Sequence, residues 1–355
     1  MQILDENSQV YFNFINSLDS NITKKCYRFC LLKFLNHWKL DLISFLNLPQ
    51  QDISDLLLKF LVGQKISRQY KNMIFSSVKH VCEMNDIILN WKKVKKFVNT
   101  EKTDNQIHGK DRGYTHEEIQ KILNFSEQRI KAVFLILAST GIRAGVLRSL
   151  RVGDLEKINN LYKITVYSGD KEEYFTFCTP ETAKEIDVYL DFRKRHGEKI
   201  NANSYLIVKK FDVDLMGEKI TGKQFSPTAI QGMLGDWIIN SGIREIDHVN
   251  QFKRKEVPRL HGFRKFFTTQ LINAKVNPEI REMLLGHRIG LASCYYRPTV
   301  EEMFEEYSKA IDNLTIDPAN RLQRKVETLT IEKSRLDNLE SKIQQLQEKT
   351  FGKIK

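Results

Sequence analysis

The sequence predicts a mainly α-helical protein with one small β-sheet, in which an all-α domain precedes an α+β domain and a C-terminal helix or coiled coil. Three observations support this prediction. Apolar residues recur three and four positions apart over residues 7–98, two β-prone runs flank Ser168-Gly169-Asp170, and residues 321–349 contain no proline or glycine. A chain of 355 residues has room for about two or three domains.

The domain boundaries follow from changes in composition along the chain. The helical pattern of the first domain fills residues 1–100. The next stretch, residues 101–113, is polar and contains glycine, as is typical of linkers between domains. We therefore expect the α+β domain at residues 114–318 and a helical tail at residues 319–355.

Local signals predict the first helices of the α+β domain. Thr115 and Glu118 have the spacing of a capping box, so a helix should begin after Thr115. Residues 131–138 are almost uniformly apolar and are followed closely by Gly141. This pattern predicts a helix that is buried on most sides and closed by a glycine.

A β-hairpin is predicted next, from the runs 162–167 and 172–177 around a glycine-containing turn. Helical patterns resume after the hairpin. Residue preferences predict where two of these helices begin, because Asn and Thr favour the N-cap position and Pro favours the first helical position. These later helices are predicted at 181–195, at 261–274, after Asn277-Pro278 and after Thr299.

In the tail, apolar residues recur every seven positions at Leu322, Leu329, Leu336 and Ile343. Leu339 and Leu346 complete the second half of a heptad seam, whereas Lys325 and Glu332 occupy the corresponding positions of the first half. The pattern predicts a short coiled coil or a long docked helix.

Charge and cysteine content restrict the functional class. The chain has 56 basic and 44 acidic residues, a net charge of +12 and a pI of about 9.3, which favours a polyanionic partner such as nucleic acid. It has neither an apolar run of membrane-spanning length nor a secretory signal at its N-terminus. Its five cysteines are scattered and odd in number. We expect a soluble, cytoplasmic protein with reduced thiols and no membrane association.

The sequence does not predict a cofactor. Cys26, Cys30 and His37 could suggest zinc, but a second ligand pair at finger spacing is missing, so packing within a helix is the better interpretation. A phosphate-binding GxxxxGK[ST] loop is also missing, which argues against a nucleotide cofactor. We expect no metal. The lysines between Lys92 and Lys96 form either a DNA-backbone contact or an ordinary solvated helix end.

Three separated segments carry residues suited to phosphate chemistry. They are Ser139-Thr140-Gly141-Ile142-Arg143, His261-Gly262-Phe263-Arg264 and Leu285-Gly286-His287. Attack on a phosphodiester places negative charge on the non-bridging oxygens, and arginine meets it with a permanently charged, bidentate donor. In a helix, His261 and Arg264 share one face and could reach the same phosphate. Alone, each residue could equally be a solvated charge or a helix cap.

Taken together and in this order, the segments resemble the tyrosine recombinase (phage integrase) family of site-specific DNA recombinases, in an archaeal or viral-like variant. The resemblance covers Tyr114 to Ile316 as the catalytic domain. It implies that the preceding helical domain is the core-binding domain. It also implies double-stranded DNA as the substrate, a homotetramer assembled on DNA, and a covalent 3′-phosphotyrosyl intermediate.

The resemblance assigns a role to each candidate residue. The nine-residue interval from His287 selects Tyr296 as nucleophile, although spacing alone leaves the adjacent Tyr295 open. A lysine on a hairpin turn protonates the leaving 5′ oxygen in the family, which implies Lys171, with Lys163 as the alternative. His261 would be the base or a hydrogen-bond partner of the phosphate. The phosphate itself would be held by Arg143, Arg264 and His287.

One position departs from the family pattern. An acidic residue commonly stands three positions after the first arginine, and here that position is Val146. In the family, this acidic residue would orient the arginine and the histidine. In this chain another acid, such as Asp154, could take that role. Two other functions stay open at this point. One is a type IB topoisomerase-like nicking-closing enzyme, and the other is a noncatalytic DNA-binding protein on a recombinase scaffold.

Overall fold

The computed structural model describes residues 4–98, 111–209, 222–226, 229–243, 256–290 and 295–351, without the side chains of residues 328 and 344–351. The chain forms two compact units, Met1–Gly109 and Lys110–Lys355. Most of the predicted linker at 101–113 lies outside the described residues, so the boundaries of the linker stay a prediction. None of the helices in the described ranges is both long and apolar enough to cross a membrane.

The described part of the first unit is entirely helical, as predicted. Aromatic rings form the centre of its core, where Phe34 packs edge-on against Phe45 and Phe60 at centroid distances of 5.3 and 5.4 Å. Cys30 is fully buried in this core and is not in a disulfide. The helices are α1 (Gln9–Asn16), α2 (Asn21–Trp38), α3 (Leu42–Leu46), α4 (Gln50–Gly63), α5 (Arg68–Glu83) and α6 (Trp91–Val98).

The second unit is built around one buried helix, as the apolar run predicted. Helix α8 (Gln128–Thr140) has every residue from Ala132 to Thr140 buried, and it ends at Gly141 with φ +62°. Neighbouring helices pack against it, and Phe134 stacks on Phe263 at 5.3 Å. The other helices are α7 (His116–Asn124), α9 (Pro180–Arg195), α10 (Ala229–Asn240), α11 (His261–Asn273), α12 (Pro278–Leu284), α13 (Val300–Ser308), α14 (Ile311–Leu314) and α15 (Pro318–Phe351).

The predicted capping signals are present at the start of three of these helices. Thr115 and Glu118 form a reciprocal capping box at α7, and Thr299 with Glu302 forms another at α13. The Asn277 side chain accepts hydrogen bonds from the first backbone N–H groups of α12. Because caps act over three or four residues, they could be recognised from the sequence. Helix α10 was not predicted, since its two glycines interrupt the sequence and its few polar residues do not mark a clear helical period.

The sheet has three antiparallel strands in the order β1 (Leu155–Ile158), β2 (Leu161–Val166) and β3 (Tyr174–Phe177). Strands β2 and β3 are the predicted hairpin. The structure differs from the prediction in two respects. It adds β1, a four-residue strand without a buried residue, and the turn is longer, with Tyr167 and Gly169 both at positive φ. The longer turn leaves Lys171 exposed near its tip.

The tail is a single long helix, α15, and its heptad seam faces solvent. Leu322, Leu329, Leu336 and Ile343 are 64, 63, 60 and 55% exposed. The beginning of the helix is tied to the rest of the unit, for example through the ion pair of Arg324 with Asp312, whereas the described side chains from 329 to 343 are exposed. The long helix is therefore confirmed, whereas pairing of its seam in a coiled coil stays a prediction.

The end of α8 provides a test of the packing. An alanine Cβ at Gly141 would lie 2.4 Å from Phe267 Cδ1. We expect Gly141→Ala to lower the free energy of unfolding by about 2 to 4 kcal/mol, because positive φ and a close neighbour both oppose a Cβ. Gly145→Ala is the control, since a Cβ there meets no atom within 4 Å. Urea denaturation followed by circular dichroism measures both variants, and equal stability would contradict the packing.

Candidate active site

A buried arginine links the segments that carry the candidate residues. Arg264 lies in the first turn of α11 and is only 7% exposed. Its Nη1 donates to the carbonyl oxygen of Gly141, and its Nη2 donates to that of Leu285, both at 2.7 Å. The same Nη2 lies 2.7 Å from His287 Nε2. Burial lowers the pKa of Arg264 from its ordinary value. One guanidinium thus joins the end of α8, the end of α12 and a candidate histidine.

His287 is held from its other side by a carboxylate. Gly286, at φ +67°, ends α12, and His287 Nδ1 then lies 2.6 Å from Glu282 Oε2. Burial raises the pKa of Glu282, but hydrogen bonds from His287 and Arg281 outweigh it, so the pKa lies below its ordinary value. An ionised carboxylate only accepts hydrogen bonds. The proton of a neutral His287 is therefore on Nδ1, and Nε2 accepts from Arg264.

Glu282 supplies the carboxylate contact that the sequence leaves missing at Val146. Val146 is fully buried among apolar residues. Asp154, the substitute suggested above, accepts from the backbone N–H of Arg151 at 2.7 Å and caps a short 3-10 turn. The carboxylate that orients His287 therefore comes from α12.

Two adjoining clefts contain the candidate residues. The hairpin cleft, of about 570 Å³, is lined by Arg143, Lys171 and His287 among others. The α11 cleft, of about 530 Å³, is lined by His261, Arg264 and again His287. Because His287 borders both clefts, the structure brings these five predicted residues to one region of the surface. The alternative lysine, Lys163, lines neither cleft.

The cations of the two clefts differ in how they are held. Arg143 follows the closing glycine of α8 and its side chain is exposed, as is Lys171 on the hairpin turn. His261 is exposed at the first position of α11, whereas Arg264 one turn later is buried. Lys163 forms an ion pair with Glu156 on the neighbouring strand. The clefts thus combine a fixed, buried guanidinium with the exposed cationic side chains of Arg143 and Lys171.

The predicted tyrosines lie outside both clefts. Tyr296 is half-buried and packs against the core of the second unit, and Tyr295 is 90% exposed. Burial raises the pKa of the Tyr296 phenol, and three nearby carboxylates raise it further; they belong to Glu302, Glu306 and Glu279. Tyr307 is a packing residue as predicted, since it is fully buried and its hydroxyl donates to Ser139 O at 2.8 Å. The structure therefore unites the candidate cations but not the nucleophile.

Sequence reasoning missed two residues of this region, Glu282 and Tyr174. Tyr174 on β3 lines the hairpin cleft beside Arg143 and His287. From the sequence alone, Tyr174 cannot be told from other aromatic residues in a β-strand, nor Glu282 from other charged residues on a helix surface. Glu282 is identified by its bond to His287, and Tyr174 by its packing against Gly286 on a distant segment. Within the described residues, the His, Cys, Asp and Glu side chains do not form a group of three or more suited to a metal ion.

The two arginines provide a test that needs no DNA. Arg264→Gln leaves two buried carbonyl groups without their donor, and we expect it to lower the free energy of unfolding by about 1 to 3 kcal/mol. Arg143→Gln is the matched control, because its side chain is exposed, and its effect should stay within about 0.5 kcal/mol. Urea denaturation measures both. An Arg264→Gln protein as stable as the Arg143→Gln protein would contradict the anchoring role.

Solved structures of DNA recombinases share this fold. An integrase of the Tn1549 transposon, solved in complex with transposon right end DNA, has a TM-score of 0.53 and 18% identity, covering 85% of this chain and 98% of that one. XerH site-specific recombinase bound to difH substrate has a TM-score of 0.51 and 14% identity, covering 81 and 77%. A lambda integrase tetramer bound to a Holliday junction has a TM-score of 0.50 and 13% identity, covering 81 and 76%.

The sequence comparison identifies the family. No curated protein sequence gives a significant match to the chain. Residues 113–302, more than half of the chain, match the model of the phage integrase family. The matched region contains the five candidate residues that line the two clefts and the tyrosine pair at 295–296. The chain therefore belongs to the phage integrase family, the tyrosine recombinases.

Proposed function

We propose that the protein is a site-specific DNA recombinase that cuts and rejoins DNA through a covalent 3′-phosphotyrosyl intermediate. The observation that carries the proposal is the convergence of Arg143, Lys171, His261, Arg264 and His287 around two adjoining clefts. Basic and imidazole donors gathered in this way suit one phosphate better than any neutral ligand. Neither a topoisomerase nor a noncatalytic scaffold gains comparable support.

Each residue then has a role in one displacement at phosphorus. Arg143, Arg264 and His287 hold the non-bridging oxygens, on which negative charge increases in the transition state. For His287 this role requires the protonated imidazole, whose Nε2–H turns from Arg264 to the phosphate while Nδ1–H stays on Glu282. The phenolic oxygen of Tyr296 attacks the phosphorus and loses its proton to His261, the candidate base. The bond to the 5′ oxygen breaks, and Lys171 protonates that oxygen as it leaves. The products are a 3′-phosphotyrosyl bond and a free 5′-hydroxyl, and the reverse attack rejoins DNA.

The nucleophile must change its surroundings to react. Burial and then the neighbouring carboxylates of Glu302 and Glu306 raise the pKa of Tyr296 above its ordinary value, so its phenol gives up a proton less readily there than in water. Next to Arg143 and Arg264 the local charge has the opposite sign and favours the phenolate. Cleavage therefore requires Tyr296 to leave its carboxylate neighbours and enter the hairpin cleft. Such a requirement keeps the protein inactive until DNA is in place.

Double-stranded DNA is the proposed substrate, bound mainly through its phosphates. The net charge of +12 supplies the attraction. Helix α6 buries Val94 and Val98 while Lys92, Lys93, Lys95 and Lys96 stay outside the core of the first unit, which suits contact with a DNA backbone. Since the lambda integrase structure is a tetramer on a Holliday junction, we propose a homotetramer on DNA. Its cellular location would then be the cytoplasm, in association with the nucleoid.

The nucleophile assignment is tested with a nicked suicide substrate. We expect Tyr296→Phe to abolish the covalent protein–DNA adduct and to leave DNA affinity within about twofold, because only the attacking oxygen is lost. Denaturing gels measure the adduct, and a gel shift measures affinity. Tyr295→Phe is the matched control and should retain the adduct. An adduct formed by the Tyr296→Phe protein but not by the control would assign the nucleophile to Tyr295.

Phosphate tracking is tested by the salt dependence of binding. Neutralising six to ten phosphates predicts that affinity falls about 10³- to 10⁵-fold between 50 and 200 mM salt, through counterion release. Fluorescence anisotropy with a labelled duplex measures this slope. A nearly flat response would contradict a backbone-contacting interface.

A further inference from the structure

Tyr174 has a buried hydroxyl for which the structure provides no acceptor. The residue lies on β3 at the edge of the hairpin cleft. Its Oη is buried next to the guanidinium of Arg264, which can only donate to the phenolic oxygen, and within the described part of the chain the O–H itself has no acceptor. Leaving such a group unsatisfied costs about 1 to 3 kcal/mol, which a phenylalanine at this position would avoid. The hydroxyl therefore calls for an explanation beyond packing of the ring.

The charges around this hydroxyl are those of the proposed phosphate site. Burial raises the pKa of Tyr174, and the cations of Arg264 and Arg143 act to lower it, with a raised pKa as the net result. The phenol thus keeps its proton. Arginine side chains only donate hydrogen bonds, so neither cation accepts the phenolic O–H. A phosphate oxygen placed between the two arginines would accept it, once the side chains that cover the Oη in the free protein part to admit the phosphate into the hairpin cleft.

The ring is fixed in place. A Cβ added to Gly286 would lie 2.4 Å from Tyr174 Cε1, so the aromatic ring packs directly on the glycine that precedes His287. Tyr167 contacts the other part of the ring, with 6.4 Å between centroids. Rigid support of this kind prepares a donor before the substrate arrives, which is how transition-state charge is stabilised at low cost.

We propose that Tyr174 is a further catalytic residue, whose phenolic O–H donates a hydrogen bond to a non-bridging oxygen of the scissile phosphate held by Arg143 and Arg264. This inference rests on the proposed function. Tyr174 makes and breaks no covalent bond in the reaction and keeps its own proton throughout. Its position on a strand, packed on Gly286, distinguishes it from the nucleophile Tyr296, which must move.

The first test is Tyr174→Phe in the full chain. We expect the single-turnover rate of adduct formation on the nicked suicide substrate to fall about 10²-fold, the usual effect of removing one transition-state donor. DNA affinity should stay within about twofold, and the melting temperature should not fall. Tyr162→Phe is the matched control. It removes a hydroxyl from the same sheet, where it bonds to Asp187, away from both clefts.

The second test identifies the acceptor. Each diastereomer of a methylphosphonate at the scissile position replaces one non-bridging oxygen by a methyl group. In one diastereomer the accepting oxygen is gone, and there Tyr174→Phe should cause no further loss. The other should retain the full loss. A purely structural role for Tyr174 would instead reduce the rate equally on both diastereomers and on the phosphate.

The outcomes separate the two proposals. If the unmodified protein forms no adduct with DNA, the proposed function fails, and this inference fails with it. If the protein forms the adduct and Tyr174→Phe leaves the rate unchanged, or slows both diastereomers equally, only the inference about Tyr174 is overturned.

Discussion

The buried guanidinium of Arg264 is the constraint on which the rest of the site depends. It holds the carbonyl oxygen of Gly141, 123 residues away in the chain, and that of Leu285 at the end of α12. Removing a cation from water is costly unless donors and acceptors are matched, so these backbone segments have little freedom to shift. Arg143 lies two residues after Gly141, and His287 lies two residues after Leu285. Arg264 therefore sets the positions of both candidate phosphate ligands, because it holds the backbone just before each of them.

Around Arg264, some groups of the candidate site are already held in place, whereas the proposed nucleophile is not. Glu282 fixes the His287 ring through Nδ1, and the packing of Tyr174 on Gly286 fixes a hydroxyl beside the arginines. Donors that are already oriented need no reorganisation as charge develops. The proposed nucleophile is different, since burial and neighbouring carboxylates raise the pKa of the Tyr296 phenol above its ordinary value. A protein that breaks DNA benefits from this arrangement, because the cations alone cannot cut the backbone.

Local signals in the sequence predicted the elements, and long-range contacts account for what was missed. The capping box at Thr115, the closing glycine of α8 and the hairpin before Lys171 each depend on a few neighbouring residues. Strand β1 is stabilised by pairing with β2, and helix α10 has no clear period, so neither had a local signature. The cations of the site were found because their types and order follow a family pattern. Glu282 and Tyr174 belong to no such pattern: Glu282 is identified by its bond to His287 beyond the end of α12, and Tyr174 by its packing on the distant Gly286.

A crystal structure of the covalent complex with a nicked DNA substrate tests the convergence around one phosphorus atom most directly. We expect the phosphate bonded to Tyr296 to lie in the hairpin cleft, with its oxygens within about 3.2 Å of nitrogen atoms of Arg143, Arg264 and His287. A phosphate bound at another surface, with these side chains arranged as in the free protein and out of reach, would contradict the shared role of the two clefts.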